Sequence, residues 1–103
     1  TGGTSYTLDE ENNVGSFTDI ILTSNYPVIT YYDESNSSLK YYECYTDRCG
    51  QGASRTLDNN GYVGQHSSIS LTATGKPIIS YLELTWYSSY LKIHNCADAY
   101  CSQ

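Results

Sequence analysis

The sequence contains no Met, and basic residues are few: five Lys and Arg stand against 11 Asp and Glu, a formal net charge of −6. Nucleic acids and anionic membranes are bound through basic patches, so neither is an expected partner. No apolar run approaches the roughly 20 residues of a membrane span, and no basic-then-apolar start resembles a signal peptide. Without an initiator Met, the sequence is expected to be a processed protein or a segment of a longer one.

Signatures of catalysis and of metal binding are absent from the sequence as well. It has no nucleophile elbow, no phosphate-binding loop and no His-Glu-x-x-His pattern. His66 and His94 have no Cys or carboxylate partner at the spacing of a metal site or a triad, and the carboxylates of residues 9–11 are adjacent rather than paired. We therefore expect no enzyme, cofactor or metal. The oxygen-rich segments 8–13 and 57–61 favour Asx turns, with a weak Ca²⁺ site as the alternative.

Tyrosine is by far the most abundant aromatic residue, with 12 of 103 residues against one Trp and one Phe. A ring with a polar tip suits half-buried sheet faces, and no window has a helical period, so the fold class is all-β. Charged residues are 16 % of the chain, below the roughly 25 % typical of soluble domains. A surface made of Ser, Thr, Asn and Tyr is typical of an extracellular protein that contacts neighbours or sugars.

The sequence repeats itself with a period of about 50 residues. Residues 7–9, 14–15 and 20–23 recur at 56–58, 63–64 and 69–72, an offset of 49 that grows to 52 at the cysteines. Repeat 1 (1–52) and repeat 2 (53–103) are predicted to form one structural module. The predicted strands are 17–23, 28–32, 39–43 and 54–57 in the first copy, and 67–72, 78–82 and 91–95 in the second. Four strands in about 50 residues make a propeller blade.

The stretches "VGSFTDIILTSNYPVITYY…LK" and "VGQHSSISLTATGKPIISY…LK" resemble a family of β-propeller repeats written loosely as G-x-x-x-S-I-x-L-x-x-x-G-x-P-x-I-S-Y-x-(loop)-L-K. The resemblance covers nearly the whole chain. It implies two tandem four-stranded antiparallel blades, and it leaves function open because propellers serve many roles. A solenoid-like stack of four-stranded units is the other geometry that fits.

The fourth strand of repeat 2 is displaced to the start of the sequence. Cys49 is followed by residues 52–58, which include the predicted strand 54–57, whereas the counterpart of that stretch after Cys101 lies at 3–9. We therefore expect this segment to pair beside residues 91–95 of another copy, with Gln103 and Thr1 at an in-register junction. Its pairing residues are Ser5, Tyr6, Thr7 and Leu8. Two blades cannot close a ring, so other copies complete either a ring, six blades from three chains, or a filament.

The four cysteines form two C-x4-C pairs, one in each repeat. Because equivalent positions in neighbouring blades lie far apart, the repeat favours disulfides Cys44–Cys49 and Cys96–Cys101 among the three possible pairings. Disulfides imply an oxidising compartment, and therefore a secreted protein. A structural zinc site is the rival interpretation.

The hairpin at 82–90 is two residues longer than its counterpart at 32–38, and it adds Trp86 and Tyr87 near its tip. We expect these two rings to contact another chain or a glycan, with packing onto their own blade as the alternative. Asn36 begins an Asn-x-Ser sequon on a predicted turn and is a candidate glycosylation site.

These observations favour a non-enzymatic extracellular structural module that assembles by repeat-to-repeat strand completion into a filament, appendage or surface layer. The alternative is an oligomeric propeller lectin that binds glycans in pockets between its blades. The expected partners are other copies of the chain and, in the alternative, glycans.

Overall fold

The computed structural model describes residues 2–102, and these form seven strands and no helix. Accordingly, no helix in that range is long and apolar enough to cross a membrane. The strands are β1 Val14–Leu22, β2 Pro27–Asp33, β3 Ser38–Cys44, β4 Gly52–Asp58, β5 Tyr62–Leu71, β6 Pro77–Leu84 and β7 Ser89–Asn95. Sheet 1 has the order β1-β2-β3-β4 and sheet 2 the order β5-β6-β7. All neighbouring strands are antiparallel, so the prediction of an all-β antiparallel fold is confirmed.

Each of the seven strands predicted between residues 17 and 95 has an observed counterpart that is longer. β1 and β5 both extend towards their N-termini through bulges, seen as shifts in their pairing register with β2 and β6. The extra residues there require unusual backbone angles: Phe17 and His66, equivalent in the repeat, have φ of 57° and 55°. Such bulges re-aim side chains and increase local twist, which is why simple alternation underestimates the strand length.

The main core lies between the two sheets. One face of sheet 1 contributes Val28, Leu39 and Tyr41, and sheet 2 contributes Ile69, Ile79 and Tyr81 together with the second cysteine pair. The alternating burial along β6 shows that sheet 2 turns only one face inwards. The face of sheet 2 that carries Ile78, Ser80, Leu82, Leu91 and Ile93 points away from sheet 1 and is called its outer face below.

A smaller cluster covers the opposite face of sheet 1. It joins Tyr31 and Tyr42 to the first cysteine pair, with Leu8 packed over it. The cysteines are bonded Cys44–Cys49 and Cys96–Cys101, the pairing that the repeat favours, and both Cα separations are 4.7 Å. On the chain-entropy account each short loop contributes about 2 kcal/mol to the free energy of unfolding.

Candidate functional site

The segment 3–9, predicted to be a strand, forms no strand within the described chain. An extended segment becomes a strand only when its backbone groups pair with a neighbour, and the predicted neighbour belongs to another copy. The segment is nevertheless held in place. Asp9 accepts a hydrogen bond of 2.7 Å from the hydroxyl of Tyr31, Leu8 packs on the small cluster, and Tyr6 lies beside Gly50.

These contacts repeat those of β4 with sheet 2. Asp58, at the end of β4, accepts a hydrogen bond of 2.6 Å from the hydroxyl of Tyr81, and Leu57 packs on the main core. Arg55, the counterpart of Tyr6, donates to the carbonyl oxygen of Tyr100 in the second disulfide loop, as Tyr6 lies beside the first. The segment 3–9 therefore lies against sheet 1 as β4 lies against sheet 2, although only β4 has a strand partner.

The two carboxylate–tyrosine pairs have clear electrostatic consequences. Burial, reinforced by the hydrogen bonds to Asp9 and Asp58, raises the pKa of Tyr31 and of Tyr81 above the usual tyrosine value. Burial alone would raise the pKa of Asp58 too, but the bonds from Tyr81 and the Asn60 amide, with Lys92 3.5 Å away, hold this pKa below its usual value. The pair of Asp58 and Tyr81 is therefore most stable as a carboxylate with a neutral phenol.

The outer face of sheet 2 is apolar and exposed where the same face of sheet 1 is buried. Leu39 and Tyr41 are 0 % exposed, whereas their repeat counterparts Leu91 and Ile93 are 80 % and 49 % exposed. β7 is also the last strand of its sheet, so one edge of its backbone has no fourth strand beside it in the described chain. Exposed edges and apolar faces are features that proteins normally cover.

A pocket, called the sheet-1 pocket below, lies on the face of sheet 1 that points away from sheet 2. Its volume is about 520 Å³, and its lining includes Val14, Gly15, Thr18, Ile20, Ile29 and Tyr31. Ile20 is 56 % exposed here, whereas its counterpart Ile69 in the main core is 5 % exposed. The pocket is therefore built from the sheet-1 counterparts of the residues that sheet 2 presents to the core.

Trp86 and Tyr87 lie on the β6–β7 hairpin and are 93 % and 69 % exposed. Their rings touch edge to face with centroids 5.0 Å apart. Hydrogen bonds between Thr85 and Ser88 hold the turn on which the two rings lie. The structure therefore excludes the two rings from the core, and their contact with a chain or a glycan stays a prediction.

The structure does not bring the remaining candidate residues together in one site. Asn36 is exposed on the β2–β3 turn, where its side-chain amide donates to buried Asp33. A ligand atom of His94 lies within 4.8 Å of the sulfurs of Cys96 and Cys101, a proximity that the sequence spacing did not indicate. Those sulfurs are joined in a disulfide and cannot act as thiolate ligands.

Sequence reasoning missed three residues of this site: Gly15, Ile20 and Leu91. The repeat contained a signal for each, because each matches a residue that is buried between the sheets. The signal could be interpreted only after the structure showed which sheet face is covered. The junction predicted between Gln103 and Thr1 lies outside the described residues.

No family model, no curated protein and no solved structure matches this chain.

Proposed function

We propose that this chain is a non-enzymatic extracellular structural module that joins to further copies of itself by strand completion, as the blades of a propeller or of a propeller-like array. One observation carries the proposal: the segment 3–9 makes the contacts of an outer strand without being one, while β7 is a sheet edge without an outer strand in the described chain. Pairing segment 3–9 of one copy with β7 of another satisfies both.

The pairing has a plain energetic basis. Ordering residues 3–9 from a fully flexible state would cost about 1 to 2 kcal/mol for each residue. The contacts of Leu8 and of Asp9 already fix one end of the segment, which reduces that cost. The backbone hydrogen bonds gained along β7 would then favour association.

The geometry of the joint is head to tail, because β7 and segment 3–9 are different surfaces at different ends of the chain. A head-to-tail joint closes into a ring if its rotation allows and otherwise continues as a filament. Two disulfides are typical of proteins of oxidising compartments, which supports an extracellular location.

The proposal is tested by deleting residues 1–9 and measuring mass in solution by analytical ultracentrifugation, with negative-stain imaging of the wild type. The wild type should form rings or fibres, and the deletion variant should be monomeric. Assembly of the deletion variant to the wild-type size would refute strand completion.

A control variant moves the segment within the chain. It begins at Glu10 and carries residues 1–9 after Gln103, where the repeat places the fourth strand of sheet 2. This chain should complete its own second sheet, so it should stay folded and monomeric. Because its composition is unchanged, loss of assembly here reflects the position of the segment and not the loss of its residues.

Glycan binding is the second candidate, favoured by the tyrosine-lined sheet-1 pocket with its carboxylates Asp9 and Asp19. Planar rings beside hydrogen-bonding groups suit sugar rings. The same positions in sheet 2 are filled by protein, which favours a second copy as the occupant. Saturable sugar binding by the wild type, with no assembly at any protein concentration, would support the lectin instead.

A further inference from the structure

We infer that the outer face of sheet 2 of one copy packs into the sheet-1 pocket of the next copy, repeating between copies the sheet–sheet interface that exists within one. This inference rests on the proposed self-association and names the surfaces that make it. Strand completion alone needs only backbone pairing along β7. The face-to-face joint is a separate set of side-chain contacts, and it can be tested separately.

Each copy contains one interface between its two sheets. It also exposes a second version of each surface of that interface, namely the outer face of sheet 2 and the sheet-1 pocket. Within one chain, sheet 1 packs on sheet 2 through Val28, Leu39 and Tyr41 on one side and Ile69 and Ile79 on the other. The repeat counterparts of Val28, Leu39 and Tyr41 lie on the outer face and are Ile78, Leu91 and Ile93. The counterparts of Ile69 and Ile79 lie in the sheet-1 pocket and are Ile20 and Ile29.

The backbone at Gly15 in the pocket has the conformation that, at Gly64, allows another strand to approach closely. Gly64 has a φ of +108°, and a Cβ on it would lie 2.7 Å from the Cα of Leu39. Gly15 has a φ of +107°, and a Cβ on it would meet nothing within 4 Å. The conformation that admits the backbone of Leu39 thus recurs in the pocket, and Leu91 is the residue equivalent to Leu39.

A pair of hydroxyls that links the sheets also recurs in the repeat. Within one chain the Ser67 hydroxyl bridges the sheets, bonding the Thr30 hydroxyl at 2.9 Å and the Phe17 carbonyl at 3.0 Å. The counterparts of Ser67 and Thr30 are Thr18 and Ser80. Thr18 is exposed in the pocket and Ser80 lies on the outer face, so the same hydroxyl pair is available between copies.

The experiment uses two variants of the full chain, each blocked on one surface. Ile20→Glu places a charge in the pocket, and Leu91→Glu places one on the outer face; both positions are exposed, so each chain should fold as the wild type does. Each variant alone should associate at least about 100-fold more weakly than the wild type, because the joint would bury a carboxylate without a partner.

Mixing the two variants provides the decisive measurement. The Ile20→Glu chain keeps its outer face and the Leu91→Glu chain keeps its pocket, so the mixture should form a 1:1 dimer of twice the 11.5 kDa chain mass and nothing larger. The double variant Ile20→Glu/Leu91→Glu is the control and should stay monomeric with either partner, as measured by ultracentrifugation.

The outcomes separate this inference from the proposed function. If the wild type assembles and the two single variants assemble equally well, the face-to-face joint is wrong while strand completion stands. If each variant is monomeric and their mixture is monomeric too, the two surfaces are not complementary and the inference is again wrong. A wild type that is monomeric at every concentration would refute the proposed function itself.

Discussion

Gly15 and Gly64 share one backbone conformation, with φ of +107° and +108°, but only Gly64 touches another sheet. The two glycines occupy the same position in the repeat, one residue after an equivalent Val. Gly64 is buried against Leu39, and Gly15 lies exposed at the mouth of the sheet-1 pocket. The same backbone conformation therefore occurs once packed against another sheet, at Gly64, and once without that contact, at Gly15. Comparing the two positions distinguishes the cost of backbone strain from the cost of lost packing.

Alanine at each glycine should reveal that difference as a difference in stability. Both substitutions force an L-residue into the same disfavoured φ region, at a cost of about 1 to 2 kcal/mol. Gly64→Ala also drives a Cβ into the backbone of Leu39, so it should lose about 1 to 3 kcal/mol more free energy of unfolding than Gly15→Ala. Urea unfolding of the two variants, each in a monomeric background, measures this. Equal losses would contradict the assigned packing.

Tyrosine ionisation should make the fold sensitive to alkali. The folded chain favours neutral phenols because burial raises the pKa of Tyr31, Tyr41 and Tyr81. A raised pKa contributes stability that is fully present below the unfolded pKa of about 10 and is lost as the pH rises towards the folded value. The free energy of unfolding should therefore fall steeply above about pH 10.

The Tyr81→Phe substitution isolates one of these phenols. It removes the hydroxyl that bonds Asp58, so at neutral pH it should cost about 2 kcal/mol, as expected for a hydrogen bond to a charged group. The variant should also lose stability less steeply between about pH 10 and 12, because one ionising group has been removed. Tyr6→Phe, at an exposed tyrosine, is the control for removing a hydroxyl and should change the free energy of unfolding at neutral pH very little. An unaltered slope in Tyr81→Phe would show that this phenol ionises equally in both states.

Much of the fold could be predicted because the repeat fixes strand order, turns and the cysteine pairing together. What the sequence could not reveal is which face of each sheet is covered. Leu39 and Leu91 both precede Lys in equivalent strands, yet one is 0 % and the other 80 % exposed. Alternation assigns residues to two faces, but the presence of a neighbouring sheet decides which face is buried. The sheet-1 pocket was unpredictable for the same reason.

Salt should strengthen association of the wild type. Each copy carries a formal net charge of −6, so copies repel one another, whereas the inferred joint is apolar. Raising the ionic strength shortens the screening length from about 30 Å at 0.01 M to about 8 Å at 0.15 M, which weakens the repulsion without affecting apolar contacts. Sedimentation at increasing NaCl should show tighter assembly, and Ile20→Glu should stay monomeric throughout. Dissociation of the wild type by salt would indicate a joint made of ion pairs.

Trp86 should affect assembly and leave the single chain unchanged. Its ring is 93 % exposed and its turn is held by Thr85 and Ser88, so Trp86→Ala should shift the thermal midpoint of the monomer very little. The shorter β2–β3 hairpin already touches sheet 2, where the Val63 amide donates to the carbonyl oxygen of Ser37 at 3.2 Å. If the inferred joint repeats this arrangement between copies, the β6–β7 hairpin would lie beside β1 of the next copy.

At that position the aromatic tip would be buried between copies, and truncating it should weaken association by about 2 kcal/mol, or roughly 30-fold. Dissociation constants of Trp86→Ala and of Tyr26→Ala, the loss of an exposed aromatic side chain on the β1–β2 turn, provide the comparison. Tyr26→Ala should associate as the wild type does, because this turn lies outside both surfaces of the inferred joint. If Trp86→Ala instead lowers the midpoint of the monomer while association is unchanged, the ring supports its own hairpin and is not part of the joint.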